Sequence, residues 1–170
     1  DNAFRYIHLY DFIFNVHGDN PLIFENNTFS DFNTQLGGFG GLIDYTETQF
    51  KLCFINCSFL NTSQRDQGGS AFKGSDIYNR GNCLVTFDSC YFNGNNGRSY
   101  GGCLYFISDL DVIVRNCTFI NNAVDNFSYD SGMGGVIYIK TVNELTISDC
   151  LFESNHAPEC QVFYCENTVL

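Results

Sequence analysis

Apolar and other residues alternate along five short segments of the chain: Leu22–Phe29, Leu52–Phe59, Val85–Phe92, Val112–Phe119 and Leu145–Phe152. They read LIFENNTF, LCFINCSF, VTFDSCYF, VIVRNCTF and LTISDCLF, and align without gaps. Period-two alternation predicts strands with one buried face. The segments begin 30, 33, 27 and 33 residues apart. Four are followed by a glycine pair (Gly40-Gly41, Gly68-Gly69, Gly101-Gly102 and Gly134-Gly135) and then a further apolar run, as in GGCLYF and GGVIYI.

Aligned columns keep their chemical type. One holds Leu22, Leu52, Val85, Val112 and Leu145; the next alternate one holds Phe24, Phe54, Phe87, Val114 and Ile147. A small polar column follows (Asn26, Asn56, Ser89, Asn116, Asp149), then Asn27, Cys57, Cys90, Cys117 and Cys150. Every segment ends in Phe: Phe29, Phe59, Phe92, Phe119 and Phe152. Like residues recurring once per repeat imply stacking along an axis, at about 4.8 Å per turn in a coiled sheet. No 3.6-residue period supports a helical solenoid, and an antiparallel sandwich would not hold one residue type per column. The sequence therefore predicts an all-β parallel β-helix of about five coils, with about thirty residues and three strands in each. The polar column supplies a bend, because Asn and Asp tolerate left-handed backbone. Unequal loops fall between the Phe and the glycine pair. Residues 1–21 read as a degenerate coil or N-terminal cap and residues 22–170 as the β-helix, one segment of a longer chain or assembly. The opening Asp1-Asn2-Ala3, with no signal peptide, reads as a mature segment or as a piece cut from something longer. At the other end, Glu159-Cys160 stands where a glycine pair is expected, and no cap is evident.

Composition narrows the function. A net charge of −11 with only 8 basic residues argues against a nucleic-acid partner. No apolar run is long enough to insert this segment in a membrane. Nine cysteines and five N-x-S/T sequons, at Asn26, Asn56, Asn61, Asn116 and Asn126, favour the secretory pathway and an extracellular or cell-surface location. Asn61 and Asn126, in expected loops, are the better glycan acceptors.

The paired signatures F-x-x-N (Phe92–Asn95, Phe119–Asn122, Phe152–Asn155) and G-G-x-[ILV] (Gly40–Ile43, Gly101–Leu104, Gly134–Ile137) resemble the repeats of the polymorphic outer-membrane protein family. Phe29 and Phe59 depart from the first pattern, with Phe32 and Thr62 at the Asn position, and Gly68–Ala71 fits the second loosely. The resemblance spans roughly residues 22–165 and implies right-handed parallel β-helices of the pectin-lyase type, a surface location, and adhesion or scaffolding. It implies no catalytic residues. The N-C-[ST]-F sequons suit a surface protein of a single-celled eukaryote.

Several side chains are candidates for more than packing. Cys57, Cys90, Cys117 and Cys150 are either a buried thiol ladder or disulfides between coils. Cys53 with Cys83, and Cys160 with Cys165, are further pairing candidates. A metal is not expected, since no His joins the column and no C-x-x-C occurs. Asp109, Asp111 and Asp130 lie in expected turns and offer at most a weak Ca²⁺ site; no other cofactor is implied. Asp88 is expected to face Arg115 of the next coil as a surface pair. Phe72, Tyr105, Tyr138 and Phe163 are expected to form an outward aromatic stripe for protein or sugar contact, unless a loop covers them. His8, His17 and His156 are isolated, and no group of acids converges, so catalysis is not expected. The first reading is thus a structural or adhesive extracellular protein, a unit of a fibre or surface assembly, with other chains or its own copies as partners. The alternative is a carbohydrate-active enzyme or carbohydrate-binding module on the same fold.

Overall fold

The computed structural model describes residues 2–5, 8–9, 14–16, 21–31, 33–34, 43–45, 51–64, 70–75, 83–107, 110–125 and 132–166. Among them there is no helix, and every strand pairing is parallel. The chain is a β-solenoid with a turn of about thirty residues.

Each circuit visits four faces. The first face stacks Leu22–Glu25, Lys51–Ile55, Leu84–Asp88, Asp111–Arg115 and Glu144–Ser148. The second stacks Asn2–Arg5, Asn27–Ser30, Ser58–Leu60, Tyr91–Asn93, Thr118–Ile120 and Leu151–Glu153. A narrow third face holds two-residue strands: His8–Leu9, Asn33–Thr34, Ser63–Gln64, Asn96–Gly97 and Ala123–Val124. The fourth holds Phe72–Ser75, Leu104–Ile107, Ile137–Lys140 and Phe163–Glu166. Phe14–Val16 pairs separately with Ile43–Tyr45.

Two expectations need correction. A coil has four strands rather than three, because the short third-face strand is too brief to leave an alternating pattern. The coil count is about three rather than five. Only residues 83–166 are described round nearly whole circuits; earlier turns are seen as strands within the ladders, and Gly40-Gly41 and Gly68-Gly69 lie outside the described residues.

The registers keep the columns in line. Leu22, Leu52, Val85, Val112 and Leu145 pair in sequence, as do Phe29, Phe59, Phe92, Phe119 and Phe152. The second-face phenyl rings stack nearly parallel, with centroids 5.0 Å apart for Phe29–Phe59, 4.7 Å for Phe59–Phe92, 4.5 Å for Phe92–Phe119 and 4.9 Å for Phe119–Phe152. The first-face rings Phe54 and Phe87 meet them edge-on. Burying one such side chain contributes roughly 1.5–3 kcal/mol, so the column dominates the core.

Bends between faces use left-handed backbone. Asn26, Asn56, Ser89, Asn116 and Asp149 have φ of 56°, 50°, 56°, 54° and 52°. A second column, five residues on, does the same: Asp31, Asn61, Gly94, Asn121 and Ser154 have φ between 52° and 68°. Asn and Asp bear this conformation at little cost, which explains why both columns favour them.

Candidate functional site

Three features hold the chemistry: a thiol row, an amide row and a tyrosine stack. The thiol row lies just inside the first bend. Cys57, Cys90, Cys117 and Cys150 each reach the carbonyl two residues back, at 3.4, 3.4, 3.2 and 3.1 Å. Each also reaches a first-face carbonyl of the preceding coil: Phe24, Phe54, Phe87 and Val114, at 3.4, 3.4, 3.5 and 3.7 Å. Asn27 takes this place in the first repeat, with Nδ2 donating to the Glu25 carbonyl at 3.0 Å.

Cys57, Cys90, Cys117 and Cys150 are thiols here and form one stacked row, the arrangement of the thiol-ladder alternative. Cys53 and Cys83 are not opposed: Cys53 pairs with Ile23 and Thr86, while Cys83 precedes Leu84, the partner of Lys51. Cys160 and Cys165 are exposed thiols. Hydrogen bonding to Cys117 and Cys57, with burial, pushes the Cys90 thiol far up; the hydrogen bond from Cys90 pulls Cys57, at the end of the row, down to about 7. Burial pushes Cys103 well above the ordinary thiol value.

The amide row follows the second bend. Asn95, Asn122 and Asn155 stand three residues after Phe92, Phe119 and Phe152, and Asn95 and Asn122 are fully buried. The Asn122 Oδ1 accepts from the backbone N–H of Asn95 at 3.1 Å and from its Nδ2 at 3.0 Å. The Asn155 Oδ1 serves Asn122 in the same way, at 3.0 Å for both. Thr62 heads the row, its hydroxyl donating to Asn95 Oδ1 at 2.6 Å. This is what the Asn of F-x-x-N does: it satisfies buried backbone across coils. The recurrence was visible in the sequence, but nothing there distinguished an inward amide from an outward one.

On the fourth face, Tyr105, Tyr138 and Tyr164 share a column, with centroid spacings of 5.2 and 5.0 Å. Tyr100 lies over Tyr138 at 4.8 Å. The expected stripe of Phe72, Tyr105, Tyr138 and Phe163 is corrected in its membership, since the four do not share one column. Tyr105 and Tyr138 are only 6% and 7% exposed. Phe72 and Phe163 occupy the adjacent inward column with Leu104 and Ile137, and Phe72 is fully buried. The error was one residue of register. Ser70, not Gly69, stands opposite Gly102, and Cys160-Gln161, not Glu159-Cys160, takes the place of Gly134-Gly135. Cys160, with φ of 52°, adopts the backbone of Gly101 (54°) and Gly134 (66°). At Gly102 a Cβ would run into the Gly135 carbonyl oxygen, so close coil packing requires glycine there.

The sequon residues Asn26, Asn56 and Asn116 lie in the first bend, and Asn61 lies in the second bend rather than in a loop. Asn126 lies outside the described residues. The Asn56 Nδ2 donates to Asn26 Oδ1 at 2.6 Å, and the Asn116 Nδ2 to Asp88 Oδ1 at 3.2 Å, so two acceptor nitrogens are already engaged. Asp88 meets Arg115 at 2.7 Å as expected. Desolvation raises its carboxyl, but hydrogen bonds from Arg115, Asn116 and Ser89 outweigh that and hold it below the ordinary value. Of the Ca²⁺ candidates, Asp109 and Asp130 lie outside the described residues, and Asp111 pairs in register with Leu84 and Glu144. Among the described residues, no three His, Cys, Asp or Glu side chains converge on a metal position.

The fold defines the class: an all-parallel β-solenoid whose interior is filled by stacked Phe, thiol and amide columns. Over 94 residues the chain is 30% identical to the probable autotransporter YfaL of Escherichia coli (strain K12). That stretch is 52% of this chain and 7% of YfaL, so the chain spans a small part of that relative's length. No protein-family profile matches the chain. No solved structure matches it.

Proposed function

We propose that the chain is a structural segment of a surface-exposed or secreted β-helix protein, with coils of the pectin-lyase type and repeats akin to those of polymorphic outer-membrane proteins. The observation that carries this reading is the in-register stack itself. Column after column is committed to holding coils together, and such a rod displays loops and faces to other proteins. The likeness to an autotransporter supports the surface or secreted location. The test uses the exposed Cys160 and Cys165. Intact native cells and their medium are treated with a membrane-impermeant maleimide. Labelling at these two thiols without lysis supports the reading; labelling only after lysis sinks it.

A second reading is a carbohydrate-binding module. It draws on Tyr100 and Tyr164, half-buried at the edges of the tyrosine stack, where a ring face suits a sugar. Quenching of tyrosine fluorescence by polysaccharides, lost in Tyr164→Ser, distinguishes it from the first.

A further inference from the structure

Tyr105 and Tyr138 stand between inward pairs, Leu104 with Phe106 and Ile137 with Ile139, so their rings lie on the outer side of the fourth face. Tyr100 lies against both. Its ring centroid is 4.8 Å from that of Tyr138 and 6.3 Å from that of Tyr105. The backbone puts it there. Gly101, with φ of 54°, turns the chain toward the strand Leu104–Ile107. A Cβ at Gly101 would stand 3.2 Å from the Tyr138 Cβ of the next coil, so the bend itself rests on Tyr138. Tyr100 is outside the paired strands, joined to Met133 by an isolated bridge, and its ring is only half-buried.

Phenols held in contact have a chemistry of their own. A phenol that loses one electron and its hydroxyl proton becomes a phenoxyl radical, with spin on the carbons ortho to oxygen. Two such radicals join ortho carbon to ortho carbon. The ring hydrogens at the new bond then move as protons to the two oxygens and restore both rings. The new bond lies in the plane of each ring, so rings stacked face to face must turn before they can form it. Tyr105 on Tyr138 and Tyr138 on Tyr164 are such stacks, at 18° and 9° between planes, and their strands are paired along their length. Tyr100 is different: its plane is already canted 52° to that of Tyr138.

We propose that Tyr100 and Tyr138 are a site of oxidative coupling, joined by a peroxidase-type one-electron oxidant into an ortho–ortho dityrosine that fastens the Gly101 bend to the following coil. Tyr100, the more exposed ring, is oxidised first. Tyr138 gives its electron through Tyr100, which the oxidant then takes again. In sum the two phenols lose two electrons and two protons, and one hydrogen peroxide takes these up to become two waters. Ring contact replaces the chance encounter of two radicals in solution. The coupling goes beyond both readings of function above and depends on neither, because it is read on the isolated chain.

The test treats the whole chain with a peroxidase and limiting hydrogen peroxide, after maleimide has capped the exposed Cys160 and Cys165. The monomer is expected to lose two hydrogens in mass and to gain the fluorescence of dityrosine. Its digest is expected to yield one linked pair of peptides, carrying Tyr100 and Tyr138. The linked chain is also expected to unfold at a higher urea concentration, since a cross-link constrains the unfolded state. Tyr100→Phe and Tyr138→Phe keep the ring and remove the phenol; each is expected to lower the yield in the monomer roughly tenfold or more. Tyr164→Phe is expected to leave it unchanged. No dityrosine in the monomer, coupling at another pair such as Tyr100 with Tyr105, products only between chains, or an equal loss in Tyr164→Phe overturns the proposal.

Discussion

The Asn95 and Asn122 side chains are joined across one coil by an Nδ2–H···Oδ1 bond of 3.0 Å, deep in the solenoid. Asn122 also donates to the Phe92 carbonyl at 3.1 Å and to Asn155 Oδ1 at 3.0 Å. Removing it takes the side-chain acceptor from the Asn95 backbone N–H, one of the acceptors from the Asn95 Nδ2, and a donor each from the Phe92 carbonyl and the Asn155 Oδ1. Each buried group left unsatisfied costs about 1–3 kcal/mol. Asn122→Ala is therefore expected to destabilise by about 3–5 kcal/mol in urea unfolding. A loss below about 1 kcal/mol, the range of ordinary surface changes, would show that the row is incidental.

The phenylalanine column makes a graded prediction. Phe92 is fully buried between Phe59 and Phe119, while Phe152 is part-exposed at the last coil. Phe92→Ala is expected to cost about 3–5 kcal/mol, and Phe152→Ala clearly less, because solvent already reaches the space it leaves. Chemical denaturation of both variants should rank them in that order.

Thiol reactivity should divide the nine cysteines. Under native conditions Cys160 and Cys165 are expected to react first with a maleimide, and Cys57, Cys83, Cys90, Cys103 and Cys117 only on unfolding. Mass mapping of the labelled protein reads this directly. Early labelling of Cys103 would contradict its burial.

Stability should fall in alkali. Burial raises Cys103 above 9.0 and Tyr138 above 10.0. Each keeps its proton when folded at a pH where the unfolded chain has released it. Their contribution is present below those ordinary values and is lost as pH rises past them, at up to about 1.4 kcal/mol per pH unit for each group. Cys103→Ala should flatten the decline from about pH 9, and Tyr138→Phe the part above about pH 10. An unchanged slope in Cys103→Ala would place its titration elsewhere.

The parallel stack was legible because it repeats. Phe59, Phe92 and Phe119 announce a column, and the small polar residues Asn56, Ser89 and Asn116 announce its bend. The third-face strands were not legible, since Asn96–Gly97 and Ala123–Val124 are too short to alternate. Fourth-face register was misread by one residue because Cys160 adopts a glycine-like φ and hides the glycine column. Tyr164, rather than Phe163, therefore completes the tyrosine stack. The thiol row illustrates a different limit: periodicity placed Cys90 and Cys117 in one column, but the carbonyls they reach, Phe54 and Phe87 of the preceding coil, could not be read from it.

The most direct test of the account is the direction and register of neighbouring strands, read from backbone nuclear Overhauser contacts in isotope-labelled protein. Parallel, in-register coils predict inter-strand Hα–HN contacts tying the Val85, Val112 and Leu145 neighbourhoods in sequence, and likewise Phe59, Phe92 and Phe119. Strong Hα–Hα contacts between these strands, the mark of antiparallel pairing, or a register shifted by one residue, would contradict it.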